Sequence, residues 1–470
     1  MLKTISVNKN QLNNRFEPRY HYNGTLHDVA YNKNGSLLIS QVSDLKSGTT
    51  PEHADIKFNA DDIFFIKSAD VKRFNINHSN LSYITKEVNK KLKNSVIKPN
   101  DILITNTGKY LGFASYVTKE LLISNINQNI IRIRLNKESS ELINVYYLTA
   151  FLNSKFGQTA IESLLTLTGQ KYLNMNKLRS LRIPIPEKLF LEDLTKSIEE
   201  SYSAADEALL LISEARKLFY EALSIDFSVI EKELTFSTTL SSFRDFDLWT
   251  PEYSNPLYIK TLNAISQKFN IINLGNIVKM KKGDEVGSDN YIQFINSKSS
   301  DVAFIRTSDI VNYECDNFTD FVVPIELHNE LNQDLLPKDI LFTKDGKIGM
   351  CGLITESDRV IIASGILKLR VTSEAHKKYN ITPEYLFIVL STKETGFFPS
   401  IRRTVRASTI PHLREDKIKD IEIPIIDSES MKKITRLVEK AFELKNKKKK
   451  LNKESITKMD EYFEKMLLNN

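Results

Sequence analysis

From residue 188 to residue 223 the chain contains neither glycine nor proline, and its apolar positions recur three or four apart. Leu191, Leu194, Ile198, Ala205, Leu209, Ile212 and Leu218 or Phe219 form one narrow stripe, with Glu and Lys filling much of the remainder. This spacing predicts a long amphipathic helix of the coiled-coil kind, whose stripe must find a partner. A second such stretch, 429–468, carries Met431, Ile434, Leu437 or Val438, Ala441 and Leu444, and resumes at Ile456, Met459, Phe463 and Met466. At 1.5 Å per residue the first helix is a rod of roughly 54 Å. The lysine run 447–450 lies on the second helix, where a solvated face is the expectation.

Ahead of each long helix the pattern is different. Ile63–Ile66 and Asp101–Thr105 read as short β runs bounded by Asp, Asn and Pro. Residues 129–135 alternate, with Ile131, Ile133 and Leu135 on one face and Arg132 and Arg134 on the other. That predicts a half-buried strand with a basic outer face. An apolar helix is expected over 145–156, then a short run into Ile183-Pro184-Ile185, where proline breaks regular structure.

The chain carries these signals twice. Phe65-Ile66-Lys67-Ser68-Ala69-Asp70-Val71 recurs as Phe304-Ile305-Arg306-Thr307-Ser308-Asp309-Ile310, an offset of 239. Pro99-Asn100-Asp101-Ile102-Leu103-Ile104-Thr105 recurs as Pro337-Lys338-Asp339-Ile340-Leu341-Phe342-Thr343, at 238. Tyr147-Leu148 recurs as Tyr385-Leu386, and Ile183-Pro184-Ile185 as Ile423-Pro424-Ile425. One order at a nearly constant, long offset means two large copies rather than a solenoid of short units. Were the copies related by a pseudo-two-fold, their helices would lie antiparallel with a globular domain at each end.

Composition narrows the class. The 470 residues are 41% hydrophobic and 26% charged, which excludes disorder for the bulk. No run is long and apolar enough to suggest a membrane span or a secretory signal, so a cytoplasmic chain without a membrane partner is expected. Two cysteines, Cys315 and Cys351, cannot build a disulfide framework or a zinc finger. A net charge of +6 permits nucleic-acid binding without requiring it.

Catalytic motifs are weak. Asn255-Pro256-Leu257-Tyr258 resembles the Asn-Pro-Pro-Tyr loop of adenine methyltransferases but departs at its third residue, and no glycine-rich turn for S-adenosylmethionine precedes it. Its counterpart in the first copy, Arg19-Tyr20-His21-Tyr22, suggests an aromatic opening segment. Asp339 with Asp345-Gly346-Lys347 mimics a nuclease constellation, yet the first copy has Asn106-Thr107-Gly108-Lys109 there and lacks the second carboxylate. No Walker loop or metal-binding histidine motif is present, so no catalytic residues and no metal ligands are expected.

What remains is glycine beside a cation at mirrored places. Lys46-Ser47-Gly48-Thr49 corresponds to Lys281-Lys282-Gly283, and Thr107-Gly108-Lys109 to Asp345-Gly346-Lys347. Thr168-Gly169-Gln170-Lys171-Tyr172 corresponds to Val405-Arg406-Ala407-Ser408-Thr409, which follows Arg402 and Arg403. Glycines let a backbone approach a ligand, Lys and Arg neutralise phosphates, and Gln or Arg can read base edges. The candidate DNA-binding residues are therefore Lys46, Thr49, Lys109, Gln170, Lys171 and Tyr172 in the first copy. Lys281, Lys282, Lys347, Arg402, Arg403 and Arg406 are those of the second.

Taken together, the two Asp-Ile-Leu strands with their Gly-Lys turns, the two Tyr-Leu helices, the Thr-Gly-Gln170 segment and the Ile-Pro-Ile exits resemble the specificity subunit of a type I restriction–modification system. Copy two departs from the pattern with Arg406-Ala407-Ser408 in place of Thr168-Gly169-Gln170, and with Ser364-Gly365 in place of Asn127-Gln128. The resemblance implies an α+β fold: two tandem α/β target recognition domains separated by long helices that form an antiparallel coiled coil with pseudo-two-fold symmetry. It places target recognition domains at 1–186 and 229–427, and coiled-coil spacers at 187–228 and 428–470. Each domain would read one half of a bipartite site in double-stranded DNA, with the helices setting the gap. The chain would recruit two methyltransferase subunits and a restriction (translocase–nuclease) subunit. It would bind no cofactor itself, S-adenosylmethionine belonging to the methyltransferase partner. The alternatives are a DNA adenine methyltransferase or nuclease acting alone, and a coiled-coil adaptor that does not bind DNA.

Overall fold

The computed structural model describes residues 35–57, 63–78, 81–121, 124–139, 141–165, 171–233, 235–239, 250–405 and 410–468. The chain divides into two compact units. The first comprises Met1–Asp206 with Lys448–Asn470, the second Glu207–Lys447. Both long helices, Lys188–Leu223 and Ser428–Leu468, are therefore shared between the units.

Unit 1 is built on two sheets. An antiparallel sheet runs Ala114–Tyr116, Asp101–Thr105, Ile130–Leu135, Ser43–Ser47. A mixed sheet runs Ile56–Lys57, Ser82–Ile84, Ile63–Ile66, Ser124–Ile126, Val96–Ile97, with Ile63–Ile66 and Ser124–Ile126 parallel. Ile66, Val71, Ile97, Leu103, Ile126 and Ile130 form a shared core. The Asp101–Thr105 strand is buried at every position, so its centre, Ile102-Leu103-Ile104, is a continuous apolar run rather than an alternation.

Unit 2 repeats the plan. Its antiparallel sheet runs Val278–Lys282, Ile366–Val371, Ile340–Thr343, Cys351–Leu353. Its mixed sheet runs Ile292–Gln293, Phe321–Val323, Val302–Ile305, Val360–Ile362, the last two parallel. The expected α+β architecture of two domains and long helices is the one observed.

The mirrored motifs are joints of this framework. Asp101 is buried and forms a bidentate ion pair with Arg134 at 2.6 and 2.7 Å, and it accepts the Lys98 N–H at 2.7 Å. Asp339 does the same with Arg370, at 2.7 Å for both contacts, and with the Leu336 N–H at 2.8 Å. Asp70 and Asp309 each accept the N–H three residues earlier, at 3.0 Å in both units. The apolar helix is Val145–Asn153, ending before the expected 156, because Ser154 leaves the helix and caps the next one through the Gly157 N–H at 3.0 Å.

Three expectations are corrected. The outer face of Ile130–Leu135 is not basic: Arg132 is 3% exposed and pairs with Asp44, and Arg134 is held by Asp101. A strand between two others buries a long cation once a carboxylate on the neighbouring strand lies diagonally within reach, Asp44 being opposite Arg134 and two residues from the position opposite Arg132. The stripe of the first long helix shifts by one residue at its middle. Ala204 and Ala208 are buried, whereas Ala205 and Leu209 are only half-buried. The shift accompanies a contact of Tyr202 with the sheet, its hydroxyl accepting the Tyr116 N–H at 3.1 Å. The lysine run 447–450 is not uniformly solvated either, since Lys448 and Lys449 are 6% and 7% exposed.

Within unit 1 the helices run antiparallel. Phe190 stacks on Tyr462 with centroids 4.0 Å apart, Asp193 pairs with Lys458 at 2.7 Å, and the Ser201 hydroxyl donates to the Asn452 side chain at 2.6 Å. Within unit 2, Ala208, Ile212, Ala215 and Phe219 share a core with Met431, Ile434, Val438 and Ala441. Lys445, 1% exposed, reaches past that core to donate to the Asn312 carbonyl at 2.8 Å.

Candidate nucleic-acid interface

In unit 1 four segments meet at one end of the antiparallel sheet. Strand Ser43–Ser47 carries Lys46 next to its last residue, and the N–H groups of Gly48 and Thr49 donate to the carbonyls of Ile130 and Ile126, both at 3.1 Å. The turn 127–130 closes through the Ile130 N–H on the Asn127 carbonyl at 3.1 Å. The turn after Asp101–Thr105 begins at Asn106, whose N–H donates to Asn129 at 3.1 Å. The segment 171–173 then adds its backbone, with Leu173 N–H on the Asn106 carbonyl at 2.8 Å and Tyr172 bridged to Thr107.

Unit 2 brings the corresponding segments together. Gly283 N–H donates to Ile366 at 3.0 Å, Ile366 N–H to Ala363 at 2.9 Å, and Lys344 N–H to Gly365 at 2.9 Å. Leu413 N–H donates to Lys344 at 2.8 Å, and His412 is bridged to Asp345. These bonds revise one alignment. Ser364, not Gly365, stands opposite Gln128, and Gly365 stands opposite Asn129.

The glycines serve the fold. A Cβ on Gly48 would lie 2.1 Å from the Asn127 carbonyl oxygen, and one on Gly283 would lie 2.2 Å from that of Ile362. Each glycine lets the strand end press on the neighbouring turn rather than on a ligand. Gly108 and Gly346 have φ of 82° and 69°, which side chains other than glycine adopt with strain. The turn between them and the strand is held by Thr105 and Thr343, whose hydroxyl oxygens accept the Phe113 N–H at 3.1 Å and the Met350 N–H at 2.9 Å.

The glycines thus set the positions of their neighbours. Lys46, Thr49, Lys109, Lys171 and Tyr172 are exposed around one edge of unit 1. Lys46 stands 4.0 Å from Asp44, and Lys109 lies 5.3 Å from the Tyr110 ring. Lys281, Lys282 and Lys347 are exposed at the matching edge of unit 2. Gln170 and Arg406 lie outside the described residues, as do Arg19, Tyr20, His21 and Tyr22.

Two arginines stand apart from this edge. Arg402 donates to the Tyr253 carbonyl at 2.8 Å and covers that ring at 4.3 Å. Arg403 is 8% exposed and donates to the carbonyls of Pro399 at 3.3 Å and Asp420 at 3.2 Å. Burial pulls both guanidiniums below their usual range. Their hydrogen bonds tie backbone segments of unit 2 together, Arg403 from a buried position and Arg402 from a half-buried one.

Sequence reasoning passed over three polar side chains at these edges: Asn106, Gln128 and His412. His412 Nδ1 is bonded to the Asp345 carboxylate, with the Lys344 ammonium 3.3 Å away. The signal for Gln128 was present in Asn-Gln-Asn between two β runs, a turn composition.

The catalytic look-alikes have structural roles. The Asn255 side chain accepts the Leu257 N–H at 3.0 Å as a helix N-cap with Pro256 in the first turn, and Tyr258 packs on Phe398. Asp339 is occupied by Arg370. Burial pushes the Cys351 thiol up. Among the described residues no group of three or more His, Cys, Asp or Glu could hold a metal ion, and no helix is long and apolar enough to cross a membrane.

Residues 36–192 match the family described as Type I restriction modification DNA specificity domain. Over 171 residues the chain is 26% identical to the type I restriction enzyme EcoBI specificity subunit of Escherichia coli, covering 36% of this chain and 34% of that protein. The match thus spans about a third of that curated relative's length. The solved type I restriction–modification S subunit from M. genitalium is 16% identical with a TM-score of 0.32, covering 93% of this chain and 96% of its own. The HsdS subunit from Thermoanaerobacter tengcongensis is 13% identical with a TM-score of 0.28, covering 92% and 99%. Residues 36–192 are thus similar to the type I restriction–modification DNA specificity domain, the family that the duplicated sequence resembles.

Proposed function

We propose that this chain is the DNA-reading subunit of a type I restriction–modification assembly, with one half-site read by each unit. The observation that carries this is the paired edge. In each unit the lysine-bearing strand end, the Gly-Lys turn and the segment after the apolar helices converge at one end of the antiparallel sheet. Lys46, Lys109 and Lys171 on one unit and Lys281, Lys282 and Lys347 on the other supply phosphate contacts, while Thr49 and Tyr172 flank them. Phosphate contacts fix register, and polar side chains between them read base edges. Arg402 and Arg403 lie apart from the second edge and hold the backbone at Tyr253, Pro399 and Asp420.

The long helices set the gap between half-sites and offer surfaces for two methyltransferase subunits and a restriction subunit. The chain itself performs no catalysis and holds no cofactor; S-adenosylmethionine is bound by the methyltransferase partner. A rod of about 54 Å exceeds one turn of DNA of about 34 Å, so about a turn of unread sequence separates the half-sites. The test is selection of randomised duplexes by the full chain. Two short enriched blocks at a fixed spacing are expected, and retention without sequence enrichment would overturn the reading.

A further inference from the structure

The apex of the 127–130 turn in unit 1 is clamped from two sides. The Gln128 carbonyl accepts the Ser47 hydroxyl at 3.2 Å and the Asn106 side-chain amide at 3.3 Å. The Asn127 side chain accepts the Asn129 N–H at 3.3 Å, which tightens the turn from within. The backbone of Gln128 is therefore fixed by the two segments that carry Lys46 and Lys109. Its side chain is exposed and, among the described residues, is engaged by no protein group. A long primary amide on a rigid, unobstructed apex, between two cationic turns, is placed to meet a ligand rather than to support the fold.

The matching apex in unit 2 is built differently. Ser364 stands in the place of Gln128, and its hydroxyl is tied to the Glu285 carboxylate. The same backbone turn thus presents a free amide in one unit and a short, engaged hydroxyl in the other.

We propose that Gln128 is a base-reading residue of unit 1 and that it selects adenine in the major groove. An amide offers one donor and one acceptor side by side, which match the N7 acceptor and N6 amino donor of adenine in a bidentate pair. The turn holds the amide in place, so the pair forms without ordering the loop. Ser364 makes no such selection, and the two half-sites differ at the corresponding place. This assignment rests on the DNA-reading function proposed above.

The experiment is selection from randomised duplexes by the full chain as wild type, Gln128→Ala, Gln128→Glu and Ser364→Ala, with the salt dependence of total retention measured alongside. Gln128→Ala is expected to lower adenine preference about tenfold at one position of one half-site. The salt slope should stay at the wild-type value, because an amide displaces no counterion. Gln128→Glu should move preference toward cytosine, whose amino group a carboxylate accepts. Ser364→Ala should leave both half-sites unchanged. Wild-type base frequencies from Gln128→Ala, or an equal loss across both half-sites, would overturn the assignment while leaving DNA reading in place. A wild-type chain that enriches no sequence would overturn both.

Discussion

The hydroxyl of Tyr147 donates a 2.8 Å hydrogen bond to the carbonyl of Pro184. Tyr385 makes the same bond to Pro424 at 2.6 Å. Two motifs that the sequence repeats are therefore partners in space: the apolar helix is bolted to the exit strand that leads into each long helix. Replacing either tyrosine with phenylalanine leaves a buried carbonyl without its donor, at a cost of about 1–3 kcal/mol. Denaturant unfolding of Tyr147→Phe and Tyr385→Phe should show comparable losses. No loss in either would mean that the repeat is maintained by packing alone.

The Asp101–Arg134 and Asp339–Arg370 pairs join a buried acid to a partly exposed base. Side-chain exposure is 1% for Asp101 and 34% for Arg134. Removing the arginine strands a buried carboxylate, which typically costs about 3–5 kcal/mol. Arg134→Ala should unfold at markedly lower denaturant, and the double variant Asp101→Asn/Arg134→Ala should recover part of the loss. A double variant no better than the single one would show that the acid is not what suffers.

Asp460 accepts the Lys155 N–H at 2.9 Å, and burial raises its carboxyl to about 6. The folded chain therefore holds this proton more tightly than the unfolded chain does. The stabilisation is complete below the unfolded value of about 3.9 and is lost as pH rises through about 6. Asp460→Asn keeps an acceptor and removes the charge. Its Tm should exceed the wild-type value by a few degrees at about pH 7.5 and approach it at about pH 4.5. An equal difference at both pH values would assign the effect to packing.

Lys46, Lys109 and Lys171 are proposed phosphate contacts. Each alanine variant should lower DNA affinity almost equally for all sequences and reduce the salt slope by about one unit. A change in base preference with an unchanged slope would move that lysine from phosphate to base contact.

Shortening Lys188–Leu223 by one helical turn, together with the facing turn of Ser428–Leu468, should change the gap in the recognised site and leave both half-sites intact. Unchanged spacing in the methylation pattern of the assembled system would remove the ruler from the proposal.

Much of this was legible in the sequence because the duplication supplied its own control. The Asp-Ile-Leu strands, Tyr-Leu helices and Ile-Pro-Ile exits recur because each contributes to a joint that must be made twice. The start of the first long helix at 188 was legible from Pro186 just before it, whereas no Gly or Pro marks its end at 223, the next being Pro251. What escaped depends on distant partners. No local pattern reveals that Arg132 faces Asp44, that Tyr202 reaches Tyr116, or that Lys445 finds the Asn312 carbonyl. The glycines of the candidate edge were correctly singled out but assigned to a ligand, whereas Gly48 and Gly283 make room for backbone. Gln128 is part of the repeated pattern but was not chosen as a contact, because an exposed polar residue in a turn is ordinary until its backbone is seen to be clamped.

The bond between Ser201 and Asn452 bears on measurement. Both residues are buried, at 1% and 3% exposure. Helices with an apolar seam from end to end can slide by a heptad and bury nearly the same surface. Here a slip of seven residues would set Asn452 against Leu194 or Ala208 and leave its amide unanswered. A single polar pair is a known means of fixing register at some expense of stability. The pair thereby opposes sliding, and a scale whose divisions resist creep is what the proposed reading of two half-sites at a constant separation would demand.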